Sequence, residues 1–146
     1  MRKLRRHERG ATLLEGAVTA LLFFSLILGV IEFGRAYNQY QVMTNAAREG
    51  ARYSVAPDAG TANLPTITEV QTRVQRFLDS AGIRGASVQV CPDGGDPTCA
   101  GTSSTVNGIT VEYRQVRVTA PYTFFFFRFA TVNMGAVARM RDETSP

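Results

Sequence analysis

The chain has 146 residues and a mass of 15.9 kDa, room for one domain with an appendage but not for two full cores. With 45% hydrophobic and 19% charged residues it is not a disordered polymer. Its net charge of +4 resides in the opening MRKLRRHERG; everything after it carries 11 Arg against 11 acids. The basicity therefore marks the N-terminus and no nucleic-acid-binding surface.

The same inventory argues against catalysis. Lys3 and His7 are the only lysine and histidine, and both lie in that opening stretch. Beyond it, acid–base chemistry would fall to carboxylates, five tyrosines and two cysteines. No His–Ser, His–Cys or Ser–Lys constellation is available, and zinc would lack its usual nitrogen ligand. The expectation is a non-enzymatic protein without metal, cofactor or small-molecule substrate.

In chain order, the first element is ATLLEGAVTALLFFSLILGVI, residues 11–31, which holds a single charge at Glu15. As a helix it spans about 31 Å, the thickness of a bilayer's hydrocarbon core. Twelve of its residues are Leu, Ile, Val or Phe, enough on an insertion scale to outweigh one Glu near the end. The basic flank predicts a single pass with the N-terminus in and the C-terminus out. A cleaved secretory signal is the competing reading. The apolar run is longer than such signals usually carry, and it leads into Glu32-Phe33-Gly34-Arg35 without a small-x-small site.

No helix breaker follows until Pro57. Phe33, Ala36, Tyr37, Tyr40, Met43, Ala47, Gly50 and Ser54 recur at three- and four-residue spacing, which predicts a stem helix continuing to about Val55. A short juxtamembrane helix would use the same residues. After the linker PDAGTANLP, Thr66 and Glu69 form a capping box before Ile67, Val70, Val74, Phe77, Leu78 and Ala81, with Gly82 as the stop. Ser87–Val90 alternates as a strand. Ile109, Val111 and Tyr113 alternate, and Val116, Val118 and Ala120 follow in the opposite phase, predicting a bulge or break at Arg114-Gln115. Val132 to Met140 alternates as the last strand. The fold class is α+β. A long N-terminal transmembrane and stem helix leads to a small domain with one helix and a three- to four-stranded antiparallel sheet. The domain bounds are 1–10 (basic leader), 11–31 (transmembrane), 32–56 (stem) and 57–146 (extracytoplasmic).

Two further features carry open alternatives. Cys91 and Cys99 bracket PDGGDPT. Outside the cytoplasm they form a disulfide worth about 2–3 kcal/mol in the chain-entropy model; Asp93 and Asp96 as calcium ligands are the weaker option. Phe124, Phe125, Phe126, Phe127 and Phe129 surround Arg128 and cannot all point inward from one strand. They form either a buried turn capping the core or an apolar patch that meets the outer leaflet or a partner subunit.

Several segments together resemble a known family. Arg9-Gly10 before Ala11-Thr-Leu-Leu-Glu15 resembles a prepilin processing site. Glu32-Phe33-Gly34-Arg35, preceded by Gly29-Val-Ile, and Asn45-Ala-Ala-Arg48-Glu49-Gly50-Ala-Arg52 resemble the two signature segments of the TadE-like pseudopilins of Tad/Flp tight-adherence pili. The terminal Ala136–Glu143 is similar to how such chains end. The resemblance implies a pilin-like fold and a prepilin peptidase that cuts Gly10–Ala11. It also implies partners among the membrane and the other pilins and pseudopilins, with a place in or at the base of the pilus. Glu15, one turn from the new amine of Ala11, would then supply its counter-charge on a neighbouring subunit; otherwise it merely snorkels at the membrane edge. An anchored extracytoplasmic binding domain that never assembles is the alternative function.

Overall fold

The computed structural model describes residues 4–57, 63–91, 103–106, 109–126 and 130–141. The elements run α1 (Leu4–Ser54), α2 (Ile67–Ser80), β1 (Ser87–Cys91), β2 (Ser103–Val106), β3 (Ile109–Thr123) and β4 (Thr131–Arg141). This is an α+β chain with a long N-terminal apolar helix, a second helix and a four-stranded antiparallel sheet. It divides into two compact units, Met1–Ala36 and Tyr37–Pro146.

In the second unit β3 is the central strand. It pairs with β1 through residues 115–119, with β2 through 109–112 and with β4 through 113–123, each antiparallel. The register with β4 is unbroken from Tyr113↔Arg141 to Thr123↔Thr131. The bulge or break expected at Arg114-Gln115 is therefore absent. The change of phase reflects two faces that are each partly covered. Val116, Val118, Ala120 and Tyr122 are buried on the core face, whereas Gln115 is buried on the other. Gln115 can be there because its Oε1 accepts a 2.7 Å bond from Arg139 Nε on the paired position of β4. The strand β2 had no clear alternation to announce it.

Local chemistry shapes α2 at both ends. The Thr66 hydroxyl accepts from the Glu69 N–H at 3.3 Å, and the Thr66 N–H donates to the Glu69 carboxylate at 2.8 Å, the reciprocal pairing the sequence predicts. At the other end Gly82, at φ +77°, allows a Schellman closure. The Ile83 N–H reaches Leu78 O, and the Gly82 N–H reaches Asp79 O, both at 3.0 Å. Between these caps Val70, Val74 and Leu78 are buried. They meet Met43, Ala46, Ala47 and Ala51 of α1 and Val90, Val116, Val118, Ala120 and Ala136 of the sheet in one core. The stem stripe is thus right from Met43 onward. Its aromatic beginning, Phe33, Tyr37 and Tyr40, is exposed instead.

Candidate functional site

The residues singled out by their pattern fall in three places, and each does different physical work. The first is the run from Gly10 to Arg35. Leu13, Leu14, Leu21, Phe23, Leu26 and Ile31 are all more than half exposed, on every side of the helix. Among the described residues nothing covers these side chains, and a helix apolar all round needs lipid or other helices as its solvent. A Cβ added at Gly10, Gly16, Gly29 or Gly34 would meet no described atom within 4 Å. Glu15 borders a shallow groove along the helix with Thr12, Gly16, Thr19, Ala20 and Phe23. Its small residues leave room beside the carboxylate. Near the end of the run Glu32 is only 7% exposed, and Arg35 Nη1 donates to its two oxygens at 3.1 and 3.3 Å. Burying a carboxylate is costly without a paired cation, so two signature residues serve each other one turn apart.

The second place is the segment Asn45–Arg52, where α1 joins the core. Gly50 is buried, and a Cβ there would collide with Val74 Cγ2 of α2 and come within 3.3 Å of Val116 Cγ1 of β3. Only glycine allows this approach of three elements. Ala46, Ala47 and Ala51 extend the same close-packed strip. The polar signature residues turn outward. Glu49 receives Arg73 Nη2 at 3.1 Å and lies 3.6 Å from Arg52 Nε, and Arg73 also stacks on the Tyr53 ring at 4.5 Å from its centroid. These partly exposed charges tie α1 to α2 and add little energy. Asn45, Ala46, Glu49, Arg73, Val74, Arg76 and Phe77 line an open groove of about 560 Å³ between the two helices. Arg48 and Asn45 are exposed. Arg73 and Tyr53 were not legible in the sequence, because their partners lie on another element.

The third place is the β3–β4 hairpin. Phe124 is half-buried with its ring edge-on to Tyr122 at 5.3 Å, and its N–H closes the hairpin on Ala130 O at 3.4 Å. Phe125 and Phe126 are 65% and 44% exposed and stack edge-on to each other at 5.0 Å. One ring is therefore half-buried against Tyr122 and two face outward. Phe127 and Phe129 lie outside the described residues, as does Cys99. Cys91 is fully buried at the end of β1, in register with Gln115. Among the described residues no group of three His, Cys, Asp or Glu side chains gathers to hold a metal. The pronounced shift of acidity is at Glu69, where the Thr66 N–H and then its hydroxyl hold the carboxyl below the usual range.

The three places offer an apolar helix, a close-packed joint and an aromatic tip. Residues 10–52 match the family described as TadE-like protein, in agreement with the resemblance of the two signature segments. No curated protein and no solved structure matches the chain. The TadE-like family is a pilus-associated structural family. Among the described residues one helix, at the N-terminus, is long and apolar enough to cross a membrane, which fits single-pass anchoring by length and composition.

Proposed function

We propose that this chain, TadE-like over residues 10–52, is a pseudopilin or minor pilin of a Tad/Flp-type pilus, a structural subunit and not an enzyme. It is inserted with the N-terminus in, trimmed by a prepilin peptidase between Gly10 and Ala11, and held in the cytoplasmic membrane until it joins other pilins in the fibre or at its base. The reading is carried by one observation: the matched residues cover both the exposed apolar helix and the joint at Gly50. The family segment thus comprises the apolar run and the part of α1 that packs into the core of the second unit. Glu15 answers the cationic amine that cleavage creates at Ala11 of a neighbouring subunit, and Cys91 pairs with Cys99 outside the cytoplasm.

The independent core of Tyr37–Pro146 favours a second reading, an anchored domain that never assembles. Mass spectrometry of the membrane form separates the two. In cells with an active prepilin peptidase the mature chain begins at Ala11. Glu15→Leu inserts and is cleaved, yet fails to co-purify with other pilins and lowers pilus output. Retention of Met1, or normal partner recovery and piliation with Glu15→Leu, defeats the assembly reading.

A further inference from the structure

The exposed aromatic tip of the β3–β4 hairpin has a fixed place in its unit. Two contacts align α1 with β3. Gly50 lies against Val116, and Gln39 Nε2 donates to Pro121 O at 3.2 Å. Eleven residues of helix and five of strand separate these contacts, about 16 Å in both cases. The helix and the strand therefore run antiparallel and side by side. Following β3 beyond Pro121 leads to the end of the unit at which α1 enters it. Phe125 is four residues past Pro121, up to about 13 Å further in that direction.

Covalent geometry then bounds the distance to the apolar run. Tyr37, the first residue of the unit, is six residues beyond Ile31. Those six residues span about 9 Å as helix and no more than about 22 Å if fully extended. The hairpin tip is thus at the end of its unit from which α1 leads back, through those six residues, to the apolar run. Its chemistry suits a lipid surface. Phe124 fixes the hairpin to the core through Tyr122, while Phe125 and Phe126 present apolar rings outward on a short bend. Exposed Phe rings gain by burying their apolar area at the boundary of headgroups and acyl chains, as the apolar face of an interfacial segment does. Opposite the tip, at the far end of the hairpin, Met140 pairs with Arg114 about 30 Å away.

We infer that Phe125 and Phe126 form a second, interfacial contact with the lipid surface, so that the unit is held by its hairpin as well as by α1. This rests on the reading of residues 11–31 as a membrane anchor.

The chain contains no tryptophan, so single replacements report their own surroundings. Phe125→Trp, Phe126→Trp, Met140→Trp and Phe23→Trp would be made in the full chain. Each would be reconstituted in phosphatidylethanolamine/phosphatidylglycerol vesicles with lipids spin-labelled near the headgroup or near the acyl-chain end. The expected result is quenching at positions 125 and 126 that is several-fold stronger with the headgroup-proximal label. Position 23 should respond most to the deep label, and position 140 to aqueous iodide alone. If position 23 is quenched by the deep label while 125 and 126 behave like 140, the hairpin contact is wrong and the anchor stands. Absence of lipid quenching at positions 23, 125 and 126 alike overturns both. Protection of 125 from iodide that grows with protein-to-lipid ratio, without lipid quenching, assigns the tip to a second copy and overturns the lipid contact.

Discussion

The two halves of α1 have the same backbone geometry and opposite side-chain logic. From Ala11 to Ile31 large apolar residues radiate in every direction and stay exposed. From Met43 to Ser54 the buried face is built of small residues, Ala46, Ala47, Gly50, Ala51 and Ser54, with Met43 as the one large side chain. The first half maximises apolar surface, which is useful only to a surrounding apolar phase. The second minimises the distance between backbones, which is useful only to a packed core. One helix thus serves two solvents, and size rather than hydrophobicity separates its halves.

The sharpest way to break this contrast is to cut one large apolar side chain in each setting. Leu78→Ala, in the core that the stem joins, should cost about 2–5 kcal/mol of unfolding free energy. Leu21→Ala, 70% exposed in the anchor, should leave thermal unfolding of the full chain in detergent unchanged. Equal losses would mean that the anchor packs on this chain's own core.

A smaller but more telling test uses glycines. Gly→Ala within a helix normally gains about 0.5–1 kcal/mol. At Gly34 the new methyl meets nothing within 4 Å, so the change should be neutral or stabilising. At Gly50 it must displace Val74 and press on Val116, so the sign reverses to a loss of about 1–3 kcal/mol. Chemical denaturation of both variants reads the sign directly, and a stabilised Gly50→Ala would refute the close-packed joint.

The smallest effect concerns the cap of α2. Thr66→Ala should cost about 1 kcal/mol. Because the Thr66 N–H and then its hydroxyl lower the pKa of Glu69 in the fold, its carboxylate stabilises the native state above the ordinary Glu range. That contribution is lost as pH falls through the lowered native value. Melting temperatures of wild type and Glu69→Gln should therefore differ near neutral pH and converge in acid. A gap that widens on acidification would have the linkage backwards.

Much of the architecture was readable because its causes are local. The capping box at Thr66 and Glu69 lies within one turn, the Gly82 stop within two, and the alternation of β4 within the strand itself. Of the candidate site, the signature segments were legible as a pattern, but their division of labour was not. Nothing near Gly50 in sequence reveals Val74 and Val116 as its neighbours, 24 and 66 residues away. The misread phase change at Arg114-Gln115 has the same origin. The strand stays in register because Arg139 satisfies Gln115 from β4, a partner that alternation along β3 alone does not reveal.

What the sequence determined by itself is therefore what depends on one segment and its solvent: an apolar helix of bilayer length, a charge bias confined to the first ten residues, the capped helix α2 and the family-like segments on α1. What only the tertiary structure decided is which surfaces meet. It turned Met43, Ala47 and Gly50 inward while leaving Tyr37 and Tyr40 exposed, set Glu49 against Arg73, and aligned β3 against α1 so that the aromatic hairpin lies at the end of its unit at which α1 enters it. Helical and strand periods fix directions relative to an element's own axis. The choice among those directions is made by the packing of elements distant in sequence, where volume, hydrogen-bond partners and opposite charges must all fit together.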